Sequence, residues 1–266
     1  MVFDPIVLAI TGVTVLPAAT IALYVYESDP ADRASATTVA GVTVAGAAVV
    51  SLAYVFNTPA LEWFDSLHAV GVVAFFMLFV APLEEGLKMA AVRLNPRGDA
   101  AFDTAMDGMV LGAFAGLGFA SAENALYIVN HGFLGGAGVV ETLVGRAGVA
   151  PAHVVWSSIA GYYLARSRLE RDVLVAVKGV VLVALLHGGY NAGVHLMSEG
   201  TTATAGLTGQ AKVFGFLFAF YAAIWLLLEH HVERGRGEVD GAEQTDVDPA
   251  RQTAVGVRVV GDAEVT

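Results

Sequence analysis

The chain of 266 residues contains no cysteine. Disulfides, cysteine-ligated zinc and thiol catalysis are thereby excluded. Charge is scarce: 15% of residues are Asp, Glu, Lys or Arg, against about 25% in ordinary soluble domains. Lysine occurs only at Lys88, Lys178 and Lys212. The formal net charge is −11 and no basic cluster occurs, which argues against nucleic acid as a partner. An acid-rich, lysine-poor chain also suits high-salt surroundings. There is no phosphate loop or dinucleotide fingerprint. Ser121, Ser157 and Ser158 lie in no nucleophile elbow or Ser–Lys pattern, which disfavours serine chemistry. No repeat of 20–50 residues and no second soluble domain is evident.

What the chain has is apolar length: 56% of its residues are hydrophobic. About 20 apolar residues cross the ~30 Å hydrocarbon core of a bilayer as a helix. Seven stretches qualify: Pro5–Tyr26, Thr37–Phe56, His68–Val92, Thr104–Val129, Gly148–Ala165, Val173–Met197 and Ala211–Leu228. The fifth is short and more polar. The expected fold is therefore all-α, a polytopic membrane helical bundle of about seven transmembrane helices. Met1 runs almost directly into the first span without a basic region, so no separate signal peptide is expected. Residues 1–229 read as the transmembrane domain and 230–266 as an acidic, disordered tail. Asn130–Ala147 reads as a Gly-rich outer loop. Arg33, Arg93, Arg97, Arg166, Arg168, Arg171 and the tail fall on one side of this topology, and Arg146 and Lys212 on the other. The basic bias places the N-terminus outside and the C-terminus in the cytoplasm, in a multi-pass cell-membrane protein. Gly108, Gly112 and Gly116 recur every fourth residue, a stripe that lets a second helix approach closely.

Several spans carry ionisable groups. A charge at the bilayer centre costs about 2.5–3.5 kcal/mol on insertion scales, so each such group needs a partner, a proton or water. The third span contains Pro82-Leu83-Glu84-Glu85-Gly86-Leu87-Lys88. Glu84 and Lys88 lie at i and i+4, the favourable order for an ion pair. Glu85 points about 100° away. Pro82 removes an intrahelical hydrogen bond and is expected to kink the span. The fourth span carries Glu123 and Asn124, the fifth His153, and the sixth His187 with Asn191 one turn on.

Two chemistries fit Glu, His and Asn without Cys. A carboxylate can take a proton from water while His relays protons and Asn stabilises an oxyanion. Alternatively, two His and a Glu can hold Zn²⁺ with one position left open. A Glu/His proton relay in a proton-coupled transporter uses the same residue types. A transporter built from repeats would betray internal symmetry, which is absent. A retinal-type photoreceptor needs a lysine in mid-span seven, and Lys212 sits at that span's end.

Glu84-Glu85-Gly86-Leu87-Lys88 resembles the EExxK motif of the PrsW family of intramembrane proteases, which is similar to the CPBP (Abi) and CAAX-prenyl endopeptidase group. Phe119-Ala120-Ser121-Ala122-Glu123-Asn124 resembles that family's second motif. His153 falls where a third-motif histidine is expected, and His187-Gly188-Gly189-Tyr190-Asn191 resembles an HxxxN fourth motif. The four lie in order on four successive spans. The resemblance implies an endopeptidase acting on membrane-anchored protein substrates within the lipid bilayer. It implies Glu84, Glu85, Glu123, His153, His187 and Asn191 as catalytic residues and Lys88 as counter-ion. The base is Glu84 or Glu85, with Glu84 favoured by its placement on the kinked face and Glu85 then equally open as the partner of Lys88. The cofactor is none or Zn, and Glu123, His153 and His187 would be the ligands if a metal is used. One conflict stands: ideal parallel helices put Glu84 about 10 Å too deep to meet its partners.

Overall fold

A computed structural model describes residues 5–30, 34–65, 68–94, 102–130, 139–199 and 206–247. Its helices are α1 (Pro5–Glu27), α2 (Ala36–Asp65), α3 (His68–Phe75), α4 (Ala81–Arg93), α5 (Ala105–Tyr127), α6 (Val139–Leu169), α7 (Val173–Glu199) and α8 (Gly206–Val247). A π-helical turn, Phe76–Val80, joins α3 to α4 in one continuous rod. The fold is thus an all-α polytopic membrane bundle, and no strand occurs among the described residues. Five of these rods are long and apolar enough to cross a membrane, and α1 contributes a shorter apolar stretch, Thr14–Glu27. The apolar faces of α2, α7 and α8 remain exposed at Val44, Phe56, Val177 and Phe218, as lipid contact requires.

Helix α5 is the central post, buried along most of its length. Thr104 caps it: Thr104 Oγ1 accepts from the Asp107 backbone N–H, and Asp107 Oδ2 accepts from the Thr104 N–H at 2.7 Å. This reciprocal box satisfies donors that a buried helix start would otherwise strand. The glycine stripe faces α6. A Cβ at Gly108 or Gly112 would overlap the carbonyl oxygens of Gly161 and Ser157, and one at Gly116 would lie 2.6 Å from the His153 carbonyl oxygen. Close backbone approach here sets the position of His153 against α5. Gly112→Val should therefore prevent α5–α6 docking, whereas Gly86→Ala, with nothing within 4 Å of its Cβ, should be neutral. Size-exclusion profiles and thermal melting in detergent measure this, with overpacking expected to cost upwards of about 3 kcal/mol.

Two expectations are corrected. Residues 139–147 are the first turns of α6, so the outer loop is shorter than the glycine content suggested. Residues 230–247 continue α8 instead of being disordered. The physical reason is packing: Val232 and Val239 are buried, Arg236 Nε donates to the Ser28 carbonyl at 2.8 Å, and Glu238 accepts from Tyr162 Oη at 3.0 Å. Residues 248–266 of the expected tail lie outside the described residues.

Candidate active site

The centre of the bundle is built on the rod of α3 and α4. Ala81 N–H donates to the carbonyl of Phe76, five residues back. The wide turn falls just before Pro82, which has no N–H to continue the ordinary ladder. A π turn thus stands where a kink was expected, and it sets the rotation of α4. That helix carries Glu84, Glu85 and Lys88, with relative exposures of 4, 0 and 0%.

Lys88 pairs with Glu85, not with Glu84 as the i, i+4 spacing suggested. Its Nζ lies 2.7 Å from Glu85 Oε1 and 2.7 Å from His153 Nδ1 on α6. The ammonium also sits 4.3 Å from the centroid of the Phe119 ring on α5, a cation–π contact that desolvation strengthens. Glu85 Oε1 in turn accepts from His187 Nδ1 on α7 at 2.8 Å. On the far side, His153 Nε2 lies 3.1 Å from Glu123 Oε2, and Glu123 is paired with Arg146. Arg146 Nε donates to Asn124 Oδ1 at 2.8 Å, and its guanidinium lies over the Tyr127 ring. A continuous chain of alternating charge and imidazole therefore runs Arg146–Glu123–His153–Lys88–Glu85–His187 across four helices.

Glu84 stands outside that chain. Asn57 Nδ2 on α2 donates to Glu84 Oε1 at 3.0 Å. Glu84 Oε2 is buried without a hydrogen-bond partner and lies 3.8 Å from His187 Nε2. Two of the three carboxylates thus have a Lys or Arg in contact, and Glu84 has neither. His187 is held from both sides, by Glu85 and by the Trp156 ring stacked at 4.4 Å and 15°. Glu84, His153, His187 and Glu123 all line a cavity of about 570 Å³. It extends along Asn57, Tyr127, Arg146 and Asn191 towards the ends of α2, α5, α6 and α7.

The sequence-read residues Glu84, Glu85, Glu123, His153 and His187 thus lie together, and Asn191 lines the same cavity one helical turn beyond His187. The depth conflict does not survive the real helix ends and the π turn. The group whose geometry could hold a metal differs from the expected one in having Glu84 in place of Glu123. One donor atom each from Glu84, His153 and His187 lies within 4.8 Å of the others, while Glu123 is engaged by Arg146 and His153. A carboxylate with two imidazoles suits Zn²⁺ and leaves a position open. The unpartnered Glu84 Oε2 fits that use, and so does the anchoring of His187 Nδ1 by Glu85, which leaves Nε2 for a metal. Both nitrogens of His153 are already bonded, so it reaches a metal only when one of those bonds yields.

Sequence reading missed Arg146, Asn57 and Trp156. Arg146 and His153 are seven residues apart, two turns on one face, a signal hidden by assigning 130–147 to a loop. Asn57 continues the buried face of Val50 and Ala53, one residue beyond the span end read from hydropathy.

The sequence profile described as a PrsW family intramembrane metalloprotease matches residues 34–227. A protease PrsW from Bacillus subtilis is 32% identical over 142 residues, covering 52% of this chain and 62% of that protein. The match thus spans about three fifths of the length of that relative. A protease PrsW from Shouchella clausii is 29% identical over 179 residues, 66% of this chain and 78% of the relative. One from Halalkalibacterium halodurans is 37% identical over 101 residues, 37% of this chain and 44% of the relative. No solved structure matches the chain.

Proposed function

Since the chain belongs to the PrsW family of intramembrane metalloproteases, we propose that it is an endopeptidase that hydrolyses peptide bonds of membrane-anchored proteins in the cavity beside Glu84. The observation that carries this reading is the buried Glu84 Oε2, unpaired and facing His187 Nε2 across a cavity large enough for a peptide. In hydrolysis, Glu84 takes a proton from water as the water oxygen adds to the scissile carbonyl carbon. The C–N bond then breaks, and the same proton passes from Glu84 to the leaving amine nitrogen. Asn191 lines the cavity where it can donate to the developing oxyanion. His187, fixed by Glu85 and Trp156, holds the reacting water against Glu84. Alternatively, Glu84, His153 and His187 would hold zinc, which when bound supplies a Lewis acid and an acidified water, and Glu84 then serves as a ligand and not as the base. Arg146 and Lys88 neutralise the other two carboxylates, which leaves Glu84 as the one without a Lys or Arg counter-ion.

Incubating the purified protein in proteoliposomes with a single-span protein substrate should yield two fragments, located by mass spectrometry. His187→Ala should lower the rate by about 100-fold or more. Metal analysis separates the two roles of Glu84: about one zinc per chain, lost together with activity on chelation, makes it a ligand, and activity that survives chelation makes it the base. A proton flux through the vesicles with no cleavage of any membrane-anchored substrate would favour the transporter reading instead.

The reading also places the N-terminus outside and the C-terminus in the cytoplasm, by the basic residues at Arg166, Arg168 and Arg171. Because the chain has no native cysteine, a single introduced one reports cleanly. Asp172→Cys in the exposed α6–α7 turn should react with an impermeant maleimide only after the cells are opened. Labelling of intact cells would reverse the topology.

A further inference from the structure

We propose that Asn57 on α2 positions Glu84 and also receives the bound peptide. Its Nδ2 fixes Glu84 Oε1, and its Oδ1 accepts a backbone N–H of the substrate. This rests on the peptidase reading above and adds to it a residue from a helix that carries none of the sequence motifs.

Four observations support it. Asn57 Nδ2 makes the only hydrogen bond that Glu84 has among the described residues, at 3.0 Å. Holding Oε1 in this way leaves Oε2 directed at His187 Nε2. Asn57 Oδ1 is buried and has no partner, although the residue lines the cavity. A buried polar atom left unpaired costs about 1–3 kcal/mol, and a peptide N–H entering the cavity removes that cost. Finally, the position of Asn57 is fixed by packing. Val50, Ala53 and Phe119 form a small buried cluster backed by Leu87 on α4, which clamps this part of α2 against the α4–α5 pair. Residues 50, 53 and 57 share one helix face, so the cluster sets the direction in which the amide points.

Two substitutions separate the arms of the amide. Asn57→Asp keeps an acceptor oxygen but loses the donor and sets a like charge beside Glu84. It should lower kcat by about 100-fold and leave KM within about threefold. Asn57→Leu removes both arms and should lower kcat similarly while raising KM about tenfold, the loss of one peptide hydrogen bond. Ser51→Ala, on the exposed face of the same helix and away from the cavity wall, should leave both constants near wild type. Melting in detergent shows that each variant is folded. A second readout does not need turnover. Infrared difference spectra between wild type and Glu84→Gln isolate the Glu84 carboxyl band, and Asn57→Leu should shift it. Wild-type kcat in both Asn57 variants, or an unshifted Glu84 band, would overturn the positioning role. An unchanged KM in Asn57→Leu would overturn the peptide contact. If Glu84→Gln itself cleaved normally, the role of Glu84 in the peptidase reading would fall instead, and the infrared band alone would decide the Asn57–Glu84 bond; if wild type cleaved nothing, the peptidase reading itself would fall.

Discussion

Lys88→Met should lower the melting temperature of the detergent-solubilised protein more than any other single polar substitution in the bundle. Lys88 Nζ bonds Glu85 and His153 at 2.7 Å each and lies over the Phe119 ring. With the cation gone, Glu85 becomes a buried charge without a counter-ion, and His153 Nδ1 loses its donor. Removing one partner of a buried pair costs about 3–5 kcal/mol. For a protein of this size that is roughly a 10 °C drop in melting temperature. The double variant Lys88→Met/Glu85→Gln removes the charge together with its partner and should recover most of that loss. A full double-mutant cycle then measures the coupling. If the two losses simply added, Lys88 and Glu85 would not be a pair.

Glu84→Gln should do the reverse: abolish cleavage and leave the fold intact. Glu84 is the one carboxylate of the three with no Lys or Arg in contact, so a neutral amide there removes an energetic liability. Melting should stay equal to wild type or rise. Activity should fall by about 1,000-fold, since both general-base and ligand roles need the carboxylate. Glu85→Gln should show the opposite balance, with marked destabilisation because Lys88 loses its partner. Function that costs stability at Glu84, and stability that supports function at Glu85, is the pattern expected where a strained charge serves chemistry.

The helical bundle was legible because it rests on apolar length, a property summed over about 20 residues and insensitive to any single one. The polar residues of the third to sixth spans were equally plain, because a charge in a bilayer demands a partner. The pairing was not. The i, i+4 rule put Lys88 on Glu84, but a long flexible ammonium is directed by what surrounds it, here Glu85, His153 and Phe119. The π turn at Phe76–Val80 was invisible too, since its residues, Phe-Met-Leu-Phe-Val, read like any apolar helix. Arg146 was set aside as a loop cation because Gly-rich composition masked the start of α6. Asn57 was overlooked because hydropathy ended its helix at Phe56, while α2 runs on to Asp65. The misses at Arg146 and Asn57 lie towards helix ends, where local pattern carries little information.

The most direct test of the central claim, that Glu84 faces the scissile bond in a site shared by α4, α5, α6 and α7, is a paired measurement. Cleavage of a membrane-anchored substrate and thermal melting should be recorded for wild type and Glu84→Gln in the same vesicles. The account predicts cleavage reduced by about 1,000-fold with melting equal or higher. Cleavage within about threefold of wild type would contradict it, whatever the melting temperature.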